Sequence, residues 1–236
     1  MDILKYIIVF FIGLIVGHFN GVFIHILPEN KPLNKPFLKY WTSYFIKGIW
    51  TKVITGAIFV LLYEKYGLTA DFIFFAYLLS ILIIMFFVDI KTKTIPNTLV
   101  LAGLAGGALA FLYNLFHPLV IYDTNKWWEP LVGLLPGSGF LLLIAILGVI
   151  IYKSDEVMGM GDVKIFAPIG IFLGWKMCTL SLLISMFLGG LTSILLIVFK
   201  IKKRKDTIPF GPFIAIASLI VILWGKYIWA WYFSQL

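Results

Sequence analysis

The 236 residues are 61% hydrophobic and only 13% charged, with 22 Phe, 11 Tyr and 8 Trp, more apolar side chain than a soluble domain of this length can bury. The expected fold class is therefore all-α, a polytopic bundle of transmembrane helices. The net charge of +8 does not indicate nucleic acid, because the basic residues sit in short loops between apolar runs, where they anchor and orient a chain in a bilayer.

At about 20 apolar residues per crossing, eight spans can be marked, near residues 3–27, 43–63, 71–88, 97–116, 131–152, 163–176, 177–200 and 208–233. The sixth is short and the second is polar at its start, so six or seven spans also fit. The whole chain, 1–236, reads as one integral-membrane domain. The first run is too long for a signal-peptide core and has no small-residue cleavage site, so it is read as a retained span. Within it Gly13, Gly17 and Gly21 recur every four residues and clear one helix face for a neighbour. His18 and His25 share a face, but two histidines are too few for a metal site, and His117 lies in a loop. No His-Glu-x-x-His string is present, and no metal is expected.

Pro28 to Pro36 forms a proline-rich basic connector with no room for a folded domain. Trp127 and Trp128 fit an aromatic belt at the outer interface. Cys178 is the single cysteine. It lies inside an apolar run and reads as a small buried hydrophobe, leaving no disulfide framework and no cysteine zinc site. The basic run from Lys200 to Lys205 is a topology determinant that also suits anionic lipid headgroups.

Charge asymmetry then orients the eight spans. Thirteen of the 19 Lys and Arg fall in or beside the loops after spans one, three, five and seven, five fall on the opposite side, and Lys52 lies within span two. Positive charge marks the cytoplasmic side. Both termini are thus expected outside, in a multi-pass protein of the cell membrane, with Asp89 and Asp162 facing the cytoplasm.

Those two aspartates are the candidate chemistry. Asp89 ends an apolar run and is followed by Lys91 to Asn97, with Pro96 expected to open the next helix. Asp162 follows Gly159 and Gly161, which permit close backbone approach, and begins another apolar run where a helix dipole favours a carboxylate. Two readings fit: interfacial charges that cap helices, or a catalytic pair. Paired carboxylates supply base and acid together, one taking a proton from water while the other protonates a scissile carbonyl. Lys164, two residues beyond Asp162, is placed to tune such a pair.

At these residues the chain resembles the type IV prepilin peptidase family, intramembrane aspartyl proteases with a Gly-x-Gly-Asp motif. The matching stretches are Gly17-His18-Phe19 through Pro28; Asp89 through Ile95-Pro96; Glu156 through Gly159-Met160-Gly161-Asp162-Val163-Lys164; and Ile208-Pro209-Phe210-Gly211-Pro212. The resemblance implies a peptidase that removes the basic leader of prepilin-like proteins after a glycine, at the cytoplasmic membrane face, with Asp89 and Asp162 in the catalytic positions. It also implies turn-shaping roles for Gly159 and Gly161, and an acidic Glu156 placed to meet the basic leader. Membrane lipid and prepilin-like proteins are the implied partners. Many family members add a zinc domain built from two Cys-x-x-Cys pairs between the first two spans and methylate the new N-terminus with S-adenosylmethionine. Here that connector has no cysteine, and the family's usual Gly-Ser-Phe-Leu-Asn opening reads Gly17-His18-Phe19-Asn20-Gly21. Cleavage needs no cofactor, S-adenosylmethionine enters only where methylation is retained, and a leader peptidase alone is the tighter expectation.

Other intramembrane proteases fit less well. Pro136-Gly137-Ser138-Gly139 lacks the first glycine of a rhomboid motif, and no histidine follows it. Presenilin-like enzymes share paired aspartates but not the Ile-Pro-Phe-Gly-Pro close, and an archaeal preflagellin peptidase would change only the substrate. A proton-coupled transporter or a non-catalytic membrane component is the alternative from another class.

Overall fold

The computed structural model describes residues 2–29, 48–122, 126–152, 159–203 and 206–235. The connector from Asn30 onward and Glu156 lie outside the described residues. All the regular secondary structure among the described residues is helical, as lipid demands of a backbone that must satisfy its own hydrogen bonds. The helices are α1 (Asp2–Ile26), α2 (Ile49–Tyr66), α3 (Ala70–Thr92), α4 (Asn97–Asn114), the short α5 (Glu129–Val132), α6 (Phe140–Tyr152), α7 (Met160–Val198) and α8 (Gly211–Ser234). A π-helical turn, Leu135–Gly139, joins α5 to α6. Among the described residues six helical segments are long and apolar enough to cross a membrane: α1, α3, α4, the run Glu129–Ile151, α7 and α8. The chain is a multi-pass membrane protein. Large apolar side chains such as Leu101, Ile150 and Phe187 point outward, each about two-thirds exposed, where a soluble protein would rarely carry so broad an apolar surface.

α7 is two helices in one apolar run. Gly174 has φ 69° and ψ 175°, a conformation essentially closed to residues with a Cβ. In a straight helix Asp162 and Gly189, 27 residues apart, would be separated by about 40 Å. Instead both line one groove, so the chain reverses at Gly174. The resulting arms, 160–173 and 175–198, correspond to the sixth and seventh expected spans, with the boundary at Gly174 rather than between residues 176 and 177. The first arm rises only about 21 Å. It is short for a crossing.

Glycines let helices approach closely at two seams of the bundle. On α1, a Cβ at Gly13 would stand 2.7 Å from Gly56 Cα, and one at Gly17 would stand 2.6 Å from Lys52 Cα, so the expected glycine face is the seam with α2. α4 seats against two partners: Gly106 faces the Tyr77 ring of α3, while Gly103 and Gly107 face Pro168 and Ile171 of the first arm of α7. The Tyr77 hydroxyl donates to Ala102 O at 2.8 Å. The core fills with Phe75, Leu78, Leu82 and Met85 of α3, Phe166, Ile169 and Phe172 of α7, and Ile214 and Ile222 of α8. Cys178 is fully buried beside Gly137.

The bundle has two distinct ends. At one, Tyr6 packs edge-on to Tyr63, Trp175 on Trp229, Asp71 Oδ1 accepts from Val120 N–H, and the Tyr122 hydroxyl donates to Ile171 O. Asp89 lies 18 residues along α3 from Asp71, about 27 Å away, so it belongs to the other end.

Candidate active site

Three segments build this second end. The first is the end of α3. The helix continues past Asp89 to Thr92 and stops at Lys93, whose φ of 54° is left-handed and whose N–H donates to Asp89 O at 2.8 Å. Asp89 therefore lies within the last helical turn rather than at the end of the run, and its side chain turns inward, 4% exposed. Pro96 precedes the next helix rather than opening it: with φ −62° and ψ 134° it is extended, and Asn97 is the first helical residue.

The second segment is the Gly-x-Gly-Asp sequence. Gly159 stands just before the first arm of α7 and Asp162 is its third residue, with the Asp162 N–H donating to Gly159 O at 3.0 Å. Both glycines are required for space rather than for unusual torsion. A Cβ on Gly159 would sit 2.9 Å from Asp162 Oδ2, and one on Gly161 would sit 3.0 Å from Ile95 Cβ. The motif is thereby pressed against the chain that follows Asp89. Lys164 does not turn to the carboxylates for its hydrogen bond: its Nζ donates to Asn97 Oδ1 at 3.2 Å and ties this segment to the start of α4.

The third segment is Thr207 to Gly211, at the start of α8. The Gly211 N–H donates to Asp89 Oδ2 at 2.8 Å. This brings an otherwise unpaired N–H of the first helical turn, at the positive end of the α8 dipole, to a carboxylate. A Cβ at Gly211 would fall 2.8 Å from that same oxygen and 3.1 Å from Asp89 Cβ. Lys93 Nζ donates to Thr207 Oγ1 at 2.8 Å and closes the ring of segments.

Asp89 and Asp162 line one cleft of about 690 Å³, together with Lys93, Asn97, Lys164 and Thr207. Asp162 is half-buried and lies within electrostatic reach of Asp89. Of the residues singled out in the sequence, Asp89, Gly159, Gly161, Asp162 and Lys164 thus meet at one place. Gly211 and Asn97 carry contacts that the sequence did not assign to them. The signal for Gly211 was present in its setting, a glycine between prolines just before the last apolar run. Among the described residues no cluster of His, Cys, Asp and Glu has metal-ligand geometry.

Fold and site together define a polytopic helical membrane protein in which two carboxylates from different helices converge at one end of the bundle. The chain belongs to the type IV leader peptidase family, whose model matches residues 76–194, just over half of the chain and a stretch that contains both aspartates. It is similar to the prepilin leader peptidase/N-methyltransferase of Aeromonas salmonicida (strain A449), 32% identical over 157 residues, covering 66% of this chain and 50% of the relative. That of Legionella pneumophila is 31% identical over 71% of this chain and 55% of the relative. That of Bacillus subtilis (strain 168) is 28% identical over 78% and 68%. The chain spans about half the length of the first of these relatives. No solved structure matches it.

Proposed function

We propose that this chain is an aspartyl endopeptidase of the cell membrane that removes the basic leader of type IV prepilin-like proteins after a glycine, at the cytoplasmic face. The observation that carries the reading is the convergence of Asp89 and Asp162 on one polar cleft. One carboxylate takes a proton from water as its oxygen attacks the carbonyl carbon of the scissile glycine, while the other protonates the carbonyl oxygen. Collapse of the tetrahedral intermediate then breaks the C–N bond, and the departing nitrogen takes up a proton to leave as an amine. Such a pair titrates as a unit, so the resting proton belongs to the dyad rather than to either residue.

The names of the relatives support the prepilin-type substrate, and the excess of Lys and Arg in the loops that the sequence assigns to the side of the two aspartates supports its cytoplasmic orientation. No metal or cofactor has a part in this cleavage. The same names also carry N-methyltransferase; against methylation in this chain stand the cysteine-free connector and the early asparagine of Gly17-His18-Phe19-Asn20-Gly21. Asn20, the asparagine nearest the family's motif position, is buried and its Nδ2 contacts Thr55 Oγ1 at 3.4 Å, in the seam between α1 and α2. We therefore assign leader cleavage alone.

The test is cleavage of prepilin-like polypeptides with a basic leader by the detergent-purified protein, with and without S-adenosylmethionine. Wild type is expected to cut after the glycine, and Asp89→Asn and Asp162→Asn are each expected to lose at least ~10²-fold in rate, the scale of a general acid or base. A variant that still cuts would remove the catalytic assignment and favour a transporter or scaffold. A methylated product would overturn the single-activity assignment.

A further inference from the structure

The polar cleft does not end at Asp162. A second space of about 390 Å³ opens on its other side, between α6, the second arm of α7 and the start of α8, and Asp162, Ile208 and Phe210 line both. Apart from Asp162 and Ser193 this trough is lined by apolar side chains and glycines, among them Ile144, Met186 and Phe213. Its wall is formed by Gly189 and Gly190. These neighbours are not equivalent. Gly189 is packed, since a Cβ there would lie 3.1 Å from the Phe210 ring, whereas among the described residues nothing lies within 4 Å of a Cβ placed on Gly190. Close packing therefore accounts for one glycine of the pair and leaves the other facing open space.

We propose, resting on the peptidase reading, that this trough is the subsite for the apolar side chain that follows the scissile glycine, and that Gly190 sets the size it accepts. The occupant follows from chemistry and continuity. A carbonyl attacked at the dyad must place one side of its chain in the polar cleft and the other beyond Asp162. A basic leader does not enter a trough lined by Ile144, Met186 and Phe213, because burying its charges there without partners is unfavourable. The trough is left to the segment after the bond. Its walls are helices of the membrane bundle, so the segment that suits it is itself apolar. Met186, unbranched and adaptable, suits a wall that accepts side chains of more than one shape.

The experiment uses two otherwise identical prepilin-like substrates, with alanine or phenylalanine directly after the cleaved glycine, and three forms of the full chain: wild type, Gly190→Leu and Met186→Ala. Gly190→Leu fills open space in a helix and is expected to keep the thermal stability of wild type in detergent. It is expected to cut the alanine substrate within about threefold of wild type, and the phenylalanine substrate at least about tenfold more slowly, a loss of the order seen when a pocket's fit is changed. Met186→Ala widens the same wall and is expected to shift the preference toward phenylalanine. Equal effects of Gly190→Leu on both substrates, or none on either, would overturn the subsite while leaving the dyad in place. If wild type cuts neither substrate, the peptidase reading fails and the subsite falls with it.

Discussion

Gly211 shows what the site demands of a residue that has no side chain. Its N–H holds Asp89 Oδ2, and the space a methyl group would occupy is already taken by that carboxylate. Gly211→Ala is conformationally acceptable at a helix start, so the fold is expected to survive while Asp89 is pushed from its place. Misplacing a reacting group by about 1 Å costs on the order of a hundredfold in rate, so kcat is expected to fall by about that much, while the lost hydrogen bond to a charged group lowers stability by about 1.5–3 kcal/mol. Measuring rate and melting temperature on the same variant separates this from general unfolding. The aspartates themselves were legible in the sequence, because a carboxylate at the edge of an apolar run is conspicuous. Their supports were not, since the Asp89 to Gly211 and Lys164 to Asn97 contacts join residues 122 and 67 positions apart. No local pattern encodes such pairings.

At the scale of the element, the length of the apolar runs foretold the helices and misplaced their ends. α3 runs one turn beyond Asp89 because Ile90, Lys91 and Thr92 remain good enough helix formers, and it stops only where Lys93 turns left-handed. The reversal in α7 was marked in the sequence only as a boundary between two spans. Its physical signature is Gly174, where a Cβ would be strained by φ and would also meet Tyr122 Cδ1 at 2.9 Å and Glu129 Cγ at 3.3 Å. Gly174→Ala is expected to destabilise the protein by at least about 2 kcal/mol, the scale of a side chain forced into a glycine-only region. Gly190→Ala, in open space, is expected to change stability by less than about 0.5 kcal/mol. Thermal unfolding in one detergent compares the two alanines directly. A similar melting temperature for both would contradict the description of the reversal.

For the whole molecule, the arrangement of ends makes orientation testable. Asp206 lies beside the aspartate cleft and Lys126 near the opposite end, both exposed, while the native Cys178 is fully buried. In intact cells a membrane-impermeant maleimide is expected to label Lys126→Cys directly and Asp206→Cys only after permeabilisation. The reverse pattern would invert the proposed topology. The two ends also differ in how they are held. At the Gly174 end the chain is locked backbone to backbone, with Gly133 and Gly170 so close that a Cβ on either would strike the other's carbonyl oxygen. At the aspartate end the described segments are joined by the hydrogen bonds of Lys93, Lys164 and Gly211 and by glycines set against side chains, Gly161 on Ile95 and Gly211 on Asp89.

The reversal at Gly174 also sets a geometric leverage. Asp162 stands twelve residues from it, a lever arm of about 18 Å, so tipping the first arm of α7 by only about 5° carries the carboxylate through roughly 1.5 Å, more than the ~1 Å misplacement that already costs a reaction about a hundredfold. Alignment at the cleft therefore depends on how firmly this arm is held along its whole length, by Gly103 and Gly107 against Pro168 and Ile171 as well as by Gly133 against Gly170.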